Sequence, residues 1–226
     1  MQRIKESIDV QSNYTMRDHA MKFSIIIPAY NSAGYIHNAI DSIKEQTFTD
    51  YELIVICDSC TDDTAQMARD AGAIVEEVSF HNDGLSRSRG LDLATGDWVL
   101  FMDDDDWWLH EFVLEQINEK LSDDIDILAF SFVWHGVKYA SPRSNAGTLY
   151  PSVWNKCWRR EFIGSTRFPN VYSVSDAYFH GEMMDKNPRI AEWDMPMYYY
   201  YYLRPGSISH EMGRTAKYIK EYWEQA

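Results

Sequence analysis

The sequence has few cysteines: Cys57, Cys60 and Cys157 are the only three among 226 residues. A small, odd number cannot supply the disulfide framework of a secreted domain, so it indicates a reducing compartment. Cys57 and Cys60 share the Cys-x-x-Cys spacing of thioredoxin-like proteins, and they lie between a predicted strand and a predicted helix. The chain is longer than such modules, and a redox function is therefore not favoured.

Long apolar runs are also lacking, since no window of about 18 apolar residues occurs and no membrane-spanning helix is expected. The first twenty residues are polar and have no apolar core of a signal peptide. We therefore expect a polar extension over residues 1–20 and a single domain over residues 21–226. We expect the protein in the cytoplasm, free or peripherally bound at the inner face of the membrane.

Positive charge is scarce, because 21 lysines and arginines face 35 aspartates and glutamates, for a net charge of −14. This balance argues against nucleic acid as a partner and against simple electrostatic docking on anionic lipid. The 45% of hydrophobic and 25% of charged residues are typical of a globular protein, and 226 residues can bury a large core.

Short apolar runs alternate with helical patterns in the first half of the chain. Strands are predicted at residues 22–27, 51–56, 73–78 and 98–102, and the first two are expected to be buried. Between the first two strands, Ile36, Ile40 and Ile43 recur at helical spacing, and Asn31 or Ser32 is expected to cap that helix. This alternation predicts an α/β fold with a mostly parallel sheet flanked by helices, in which ligands bind beyond the carboxyl ends of the strands.

The second half is less regular. We predict a strand at residues 126–134, helices at 152–163 and 176–185, an aromatic strand at 197–203 and a final helix at 215–223. Ser173 or Ser175 is expected to cap the helix at 176–185.

Four consecutive aspartates at residues 103–106 follow the last strand of the first half. Their carboxylates repel one another and are costly wherever water is restricted, so a cation should neutralise them. Carboxylate oxygens are preferred ligands of Mg²⁺ and Mn²⁺, and a metal at a strand tip can receive a diphosphate. An EF-hand loop does not fit, because Trp108 stands where that loop needs Gly and Leu114 where it needs Glu.

Several segments, in order and spacing, resemble family 2 glycosyltransferases of the GT-A fold. The segments lie at residues 26–32, 52–62, 82–89, 96–106, 154–169, 176–179 and 202–209. Cys57, Gly90 and Ser175 depart from the Asp, Asn and Glu that are usual there. No Gln-x-x-Arg-Trp motif of processive synthases is present, which favours transfer of one or a few sugars.

The resemblance implies a GT-A (Rossmann-like) fold with a nucleotide-sugar half at about residues 21–108 and an acceptor half at about 109–226. It implies metal-dependent, inverting transfer of one sugar from a nucleoside diphosphate sugar, most simply a UDP-sugar, to a hydroxyl acceptor. The acceptor would be a glycan, a lipid-linked molecule or a protein, in surface polysaccharide or glycoconjugate assembly.

The resemblance also assigns the donor side of the site. Asp105 would bind Mn²⁺ or Mg²⁺ directly, Asp103 would contact ribose or the metal, Asp104 would lie beside them, and His210 would complete the metal shell. Four further residues would meet the nucleotide. Pro28, Ala29 and Tyr30 would line the base pocket, and Asp58 would accept a hydrogen bond from the uracil ring.

Arg89, with Arg87 as the weaker candidate, would meet the diphosphate or hold aspartates in place, since a guanidinium matches phosphate and carboxylate oxygens. Asp176 would be the general base that takes the proton of the acceptor hydroxyl. Two simpler interpretations stay open: Asp176 could serve only the helix dipole, and Asp58 could only cap a turn.

Two other functions also stay open. One is a non-catalytic protein that binds sugar nucleotides, which the departures at Cys57 and Ser175 allow. The other is a nucleotidyltransferase, although residues 28–34 lack the lysine or arginine that its Gly-rich loop normally carries. Release of sugar from the donor distinguishes a transferase from the binding protein.

Overall fold

A computed structural model describes residues 23–134, 138–144, 147–171 and 174–201. The expected extension at residues 1–20, the expected helix at 215–223, Ser173 and His210 lie outside these ranges.

The first half forms four parallel strands: β1 (Phe23–Ala29), β2 (Tyr51–Asp58), β3 (Ile74–Val78) and β4 (Trp98–Phe101). β1 pairs with β2 and β4, and β2 pairs with β3. Ile25, Ile26 and Ile27 are fully buried because helices cover both faces of the sheet, which is why this strand reads as a continuous apolar run. The four predicted strands and the α/β fold are confirmed.

Four helices connect or follow these strands: α1 (Ile36–Lys44), α2 (Thr64–Asp70), α3 (Asp83–Leu93) and α4 (Val113–Lys120). α1, α2 and α4 pack on the face to which Ile25 and Ile27 point. α3 packs on the other face with Ile26. The predicted cap of α1 is wrong, because Tyr35 precedes the helix and no side chain bonds there. Asn31 instead accepts a hydrogen bond from Thr61 N, at 2.7 Å.

The second half adds five strands and two helices. They are β5 (Trp107–Trp108), β6 (Ile127–Trp134), β7 (Lys138–Ala140), β8 (Lys156–Arg159), α5 (Arg160–Ile163), α6 (Ser175–Asp185) and β9 (Ile190–Tyr200). The strand order is β3-β2-β1-β4-β8-β6-β9-β5, with β7 paired to β6. β8 runs antiparallel between β4 and β6 and so joins the two halves of the sheet.

The predicted helix at residues 152–163 is wrong. Its centre is the strand β8, and only Arg160–Ile163 is helical. Cys157 and Trp158 are both fully buried, since β8 is an interior strand with a neighbour on each side. A short run that is apolar on both faces cannot be told from a buried helix by its periodicity.

α6 confirms the predicted helix at 176–185, but Ser175 does not cap it: Val174 precedes the helix, and the Ser175 hydroxyl donates to Asp83. The aromatic strand begins earlier than predicted, at Ile190, and β5 and β7 were not predicted. Among the described residues, no helix has both the length and the apolar character needed to cross a bilayer.

Candidate functional site

The predicted donor residues lie at one edge of the sheet. The carboxyl ends of β1, β2 and β4 meet there because these strands are parallel, and they bring Tyr30, Asp58 and residues 103–106 to the same edge. The backbone N–H of Tyr30 donates to Asp104 Oδ2 at 3.1 Å, which ties the end of β1 to the aspartates. This is the edge at which ligands bind in open α/β sheets.

The aspartates at residues 103–106 form a tight turn that β9 and the residue after it hold in place. Asp106 is fully buried and accepts hydrogen bonds from the Tyr198 hydroxyl and the Tyr201 N–H, each at 2.7 Å. The Tyr198 hydroxyl also accepts the Asp103 N–H at 3.0 Å. Burial and the charges of Asp105 and Asp103 raise the pKa of Asp106 well above its ordinary value. Asp106 therefore belongs to the framework of the turn.

Arg87 on α3 supplies a positive charge next to this turn. Its guanidinium pairs with Asp83 and, at 2.6 Å, with Asp103 Oδ1, and its side chain is only 8% exposed. Burial opposes ionisation, but the charges of Asp103, Asp83 and Asp176 outweigh it and raise the pKa of Arg87. Arg87 thus neutralises part of the negative charge of the aspartates that a metal was expected to neutralise.

Arg89 contacts acidic residues outside the turn at residues 103–106. Its Nε donates to Glu76 on β3 at 2.8 Å, and its Nη1 lies 3.9 Å from Asp92. Two residues along a helix correspond to a rotation of about 200°, so Arg87 and Arg89 point to opposite sides of α3. Arg87 is therefore the arginine beside the aspartates, and the expected contact of Arg89 with a diphosphate stays a prediction.

Asp176 lies in the first turn of α6, where its Oδ1 accepts the N–H of Ala177 at 2.9 Å. Burial raises the pKa of Asp176 to about 6, helped by Asp103 and Asp83 and opposed by Arg87. The adjacent Ser175 hydroxyl donates to Asp83 Oδ2 at 3.0 Å, and Asp83 in turn pairs with Arg87. Through Asp83 and Arg87, both on α3, Ser175 of α6 is therefore connected to Asp103. A carboxylate with a pKa near neutrality is suited to take up a proton.

Asp58 is buried and accepts five hydrogen bonds from the protein. The backbone N–H groups of residues 80, 81 and 82 donate to it at 2.8 to 2.9 Å, and the hydroxyls of Ser59 and Ser86 at 2.9 and 3.2 Å. Burial opposes ionisation, but these donors lower its pKa. Asp58 thus fixes the loop that leads into α3. A nucleobase N–H would have to displace one of these donors, and the expected base contact stays a prediction.

The three expected base-pocket residues differ in accessibility. Ala29 is 3% exposed and packs in the core, whereas the Tyr30 side chain is 59% exposed. Pro28 is half-buried, and the carbonyl of Ala29 accepts the Cys60 thiol at 3.4 Å. Of the three, Tyr30 therefore offers a ring that a base could stack on, and the base contacts of all three stay predictions.

Asp103 and Asp105 supply the donor chemistry that a hard divalent cation prefers. In the described part of the chain, no group of three or more ligating side chains could by itself hold an ion, and His210 lies outside it. Mg²⁺ is commonly held by one or two carboxylates and completed by substrate phosphates and water. The residues present therefore fit an ion that a diphosphate completes.

Three residues of this region were missed or underrated in the sequence. The spacing of four between Asp83 and Arg87 is a helical ion-pair signal that favours Arg87 over Arg89. Tyr198 lies within a run of five tyrosines that predicts a strand but not which hydroxyl reaches Asp106. Lys156 lies in the segment 154–169 that carries part of the family resemblance, but nothing in its sequence surroundings predicts that it is fully buried.

Comparison with known families shows to which family the chain belongs. Residues 24–203 match the family described as glycosyl transferase family 2. The chain belongs to this family. It is 32% identical over 160 residues to the glycosyltransferase GlyA of Streptococcus pneumoniae. The matched residues cover 69% of this chain and 22% of GlyA. The chain spans only about a fifth to about a third of the length of the curated relatives it matches.

Solved structures of two glycosyltransferase-fold proteins resemble the chain in backbone. TarS of S. aureus in complex with UDP has a TM-score of 0.72 at 23% identity, over 89% of this chain and 72% of that chain. Glucosyl-3-phosphoglycerate synthase of Mycobacterium tuberculosis, in complex with Mn²⁺, UDP and glucosyl-3-phosphoglycerate, has a TM-score of 0.63 at 22% identity, over 88% of this chain and 77% of that chain. At these identities the likeness shows the fold.

Proposed function

We propose that the protein is a metal-dependent, inverting glycosyltransferase that moves one sugar from a UDP-sugar to a hydroxyl acceptor. One observation carries the proposal: Ser175, next to Asp176, bonds to Asp83, and Arg87 pairs with both Asp83 and Asp103. These contacts support a single site that contains Asp176, with its raised pKa, and the acidic turn. UDP in TarS, and UDP with Mn²⁺ in glucosyl-3-phosphoglycerate synthase, support this choice of donor and cofactor.

At the donor end, Asp103 and Asp105 would hold Mn²⁺ or Mg²⁺, which when bound would offset the charge that develops on the departing nucleoside diphosphate. Arg87 would provide a second cation, and its guanidinium matches phosphate oxygens in geometry. The exposed Tyr30 ring would stack on the base, with Pro28 and Ala29 beside it and Asp58 as acceptor for the uracil N–H.

At the acceptor end, Asp176 would take the proton of the acceptor hydroxyl while the oxygen attacks the anomeric carbon. The new carbon–oxygen bond forms as the bond to the diphosphate breaks, and its electron pair leaves with the nucleoside diphosphate. The proton stays on Asp176. One displacement from the face opposite the leaving group inverts the anomeric configuration.

The acceptor would be a hydroxyl of a glycan, a lipid-linked molecule or a protein, and the setting in surface polysaccharide or glycoconjugate assembly rests on the family resemblance. Trp154 and Trp108 are buried in the core. Trp107 is half-buried and stacks on Tyr199 with ring centroids 4.2 Å apart. Of these tryptophans, Trp107 is the one that an acceptor sugar could contact.

Two substitutions test the proposal in an assay of sugar transfer with Mn²⁺ and a panel of nucleotide sugars. We expect Asp176→Asn to keep UDP affinity but to lower kcat by about 10²- to 10⁴-fold, because it removes only the base. We expect Asp105→Ala to lose both UDP binding and transfer. Asp185→Asn, at the exposed far end of α6, is the matched control and should leave both unchanged.

Two outcomes would contradict the proposal. Transfer by Asp176→Asn at the parent rate would show that Asp176 is not the base. Binding of UDP with Mn²⁺ by the parent, with no sugar released from any donor, would favour a non-catalytic sugar-nucleotide-binding protein.

A further inference from the structure

Lys156 is a fully buried lysine that the proposed reaction does not use. It is the first residue of β8, and its side chain has no exposure to solvent. Its Nζ donates to Tyr150 O at 2.6 Å, to Ser152 O at 2.7 Å and to Asn155 Oδ1 at 2.8 Å. Lysine is almost never fully buried unless its charge is compensated, so this placement calls for a physical reason.

The three contacts fit the charged form of the side chain. An ammonium group has three N–H donors, and each of them has one acceptor oxygen here. A neutral amine has two donors and a lone pair, so one oxygen would face that lone pair. Burial lowers the pKa of Lys156 to about 7, and the negative charge of Asp176 opposes this shift.

The ammonium lies beside a ring that packs against the helix that carries Asp176. The ring of Trp158, two residues along β8, lies 6.0 Å from Lys156 Nζ. The same ring packs edge-on against Phe179 and His180 of α6, with centroids 5.5 and 6.4 Å apart. Burial and the charge of Lys156 lower the pKa of His180 to about 3, so His180 stays neutral and leaves Lys156 as the cation on this side of α6.

The same ammonium also holds the loop that leads into β8. This loop carries Trp154, whose ring stacks on that of Tyr198 with centroids 4.7 Å apart. The Tyr198 hydroxyl contacts Asp103 and Asp106. Contacts therefore run from Lys156 through the loop to the acidic turn, and separately Lys156 acts electrostatically on Asp176.

We propose that Lys156 is a positioning residue for the transfer reaction, an inference that rests on the proposed function. Its ammonium fixes the loop at residues 150–155 and presents a positive charge to Asp176 from the protein interior. This charge favours the ionised carboxylate, the form that accepts the proton of the acceptor hydroxyl.

The charged groups around Asp176 come from three other elements. The charges of Arg87 and Asp83 on α3 and of Asp103 in the turn after β4 act on Asp176. Asp176 in turn acts on Lys156 of β8, and this interaction is mutual. His180, on the same helix, is neutral. Removing Lys156 would leave Arg87 as the one positive charge in this set, so protonation of Asp176 would become easier and its pKa would rise.

The test compares Lys156→Met and Lys156→Gln with the parent. We expect kcat to fall about tenfold or more, since the loop and the base lose their support, while UDP affinity changes little. We also expect the acid limb of the profile of kcat/KM against pH to move to higher pH. The carboxyl carbon of Asp176, followed by NMR without substrate, should shift its titration in the same direction.

Lys186→Met is the matched control. Lys186 donates to Ile163 O at 3.0 Å and to Thr166 Oγ1 at 2.6 Å, but it lies at the far end of α6. Its removal should leave the acid limb in place. Lys156→Arg keeps the positive charge, so the acid limb of its kcat/KM profile should lie at the same pH as in the parent. This variant serves as the test if neither neutral variant folds.

An acid limb that stays in place in the neutral variants, or that moves in Lys156→Arg, would overturn the inference. If Asp176→Asn abolishes transfer while the neutral Lys156 variants keep the parent profile, only the role of Lys156 fails. If the parent transfers no sugar, the proposed function fails, and the NMR titration alone still decides whether Lys156 acts on Asp176.

Discussion

Single side chains set the charge balance at the acidic turn. Asp103 pairs with Arg87, and Asp104 accepts a hydrogen bond from the N–H of Tyr30. Asp106 is buried and accepts two hydrogen bonds. The four aspartates are therefore chemically distinct although they are adjacent in sequence. Asp103 and Asp105 remain the pair that we propose for the metal, while Asp106 stabilises the turn itself.

The raised pKa of Asp176 leads to an expected pH dependence. The base must be ionised to accept a proton, and burial raises its pKa from 3.8 to about 6. We therefore expect kcat/KM to fall about tenfold for each pH unit below that value and to level off above it. A steady-state profile at saturating Mn²⁺ measures this directly. A rate that stays constant down to the ordinary aspartate range would contradict the assignment.

How far the sequence predicts single residues depends on how local their signals are. The acidic turn was recognisable because it follows a strand with a clear apolar pattern, whereas Asp176 was singled out only through the family resemblance. The choice between Arg87 and Arg89 depended on which side of α3 faces the turn, and that follows from packing of the helix on the sheet. The role of Lys156 was not predictable, since its partners are two backbone carbonyls and one amide oxygen whose positions only the fold defines.

Among the helices, α3 and α6 make the contact that joins the two sides of the site. α3 carries Arg87 and α6 carries Asp176, and the two approach closely where Gly84 meets Ser175. A Cβ atom added to Gly84 would lie 2.8 Å from Ser175 Cβ and 3.1 Å from Pro169 O. A glycine is therefore needed here for the helices to approach, and not for its backbone freedom.

Gly84→Ala should force α3 and α6 apart. We expect a loss of about 1 to 3 kcal/mol in the free energy of unfolding and a lower kcat, because Arg87 and Asp176 would separate. Urea unfolding and the transfer assay measure the two effects. Gly181→Ala is the control, since nothing lies within 4 Å of its added Cβ, and it should stabilise α6 by about 0.5 to 1 kcal/mol. Equal effects of the two substitutions would contradict this account of the contact.

The predictability of the helices and strands follows their burial. β1, β2 and β4 were predicted because each is a short buried apolar run. β3 is a partly exposed edge strand, recognised by Ile74, Val75 and Val78. β8 is as buried as β1, but it lies next to the helix α5 in sequence, so the two read together as one helix. β5 has only two residues, and it exists because β9 pairs with it. Its pairing partner is about ninety residues away and leaves no local signal.

The described residues as a whole form one continuous sheet in which a parallel half and a mostly antiparallel half meet at β4 and β8. The acidic turn follows β4, Lys156 begins β8, and α6 packs over this junction through Phe179 and Met183. The proposed donor site, the proposed base and the buried lysine therefore all lie where the two halves join. This arrangement brings residues that are far apart in sequence to the proposed site.

Donor binding through a cation at the acidic turn is the basis of the proposed function, and titration calorimetry with UDP tests it most directly. UDP is titrated into the parent and into Asp105→Ala, each with Mn²⁺ and again with EDTA. We expect the parent to bind UDP with Mn²⁺ and to lose about tenfold or more in affinity with EDTA, and Asp105→Ala to bind weakly in both. Equal affinity of the parent for UDP with Mn²⁺ and with EDTA would contradict the account.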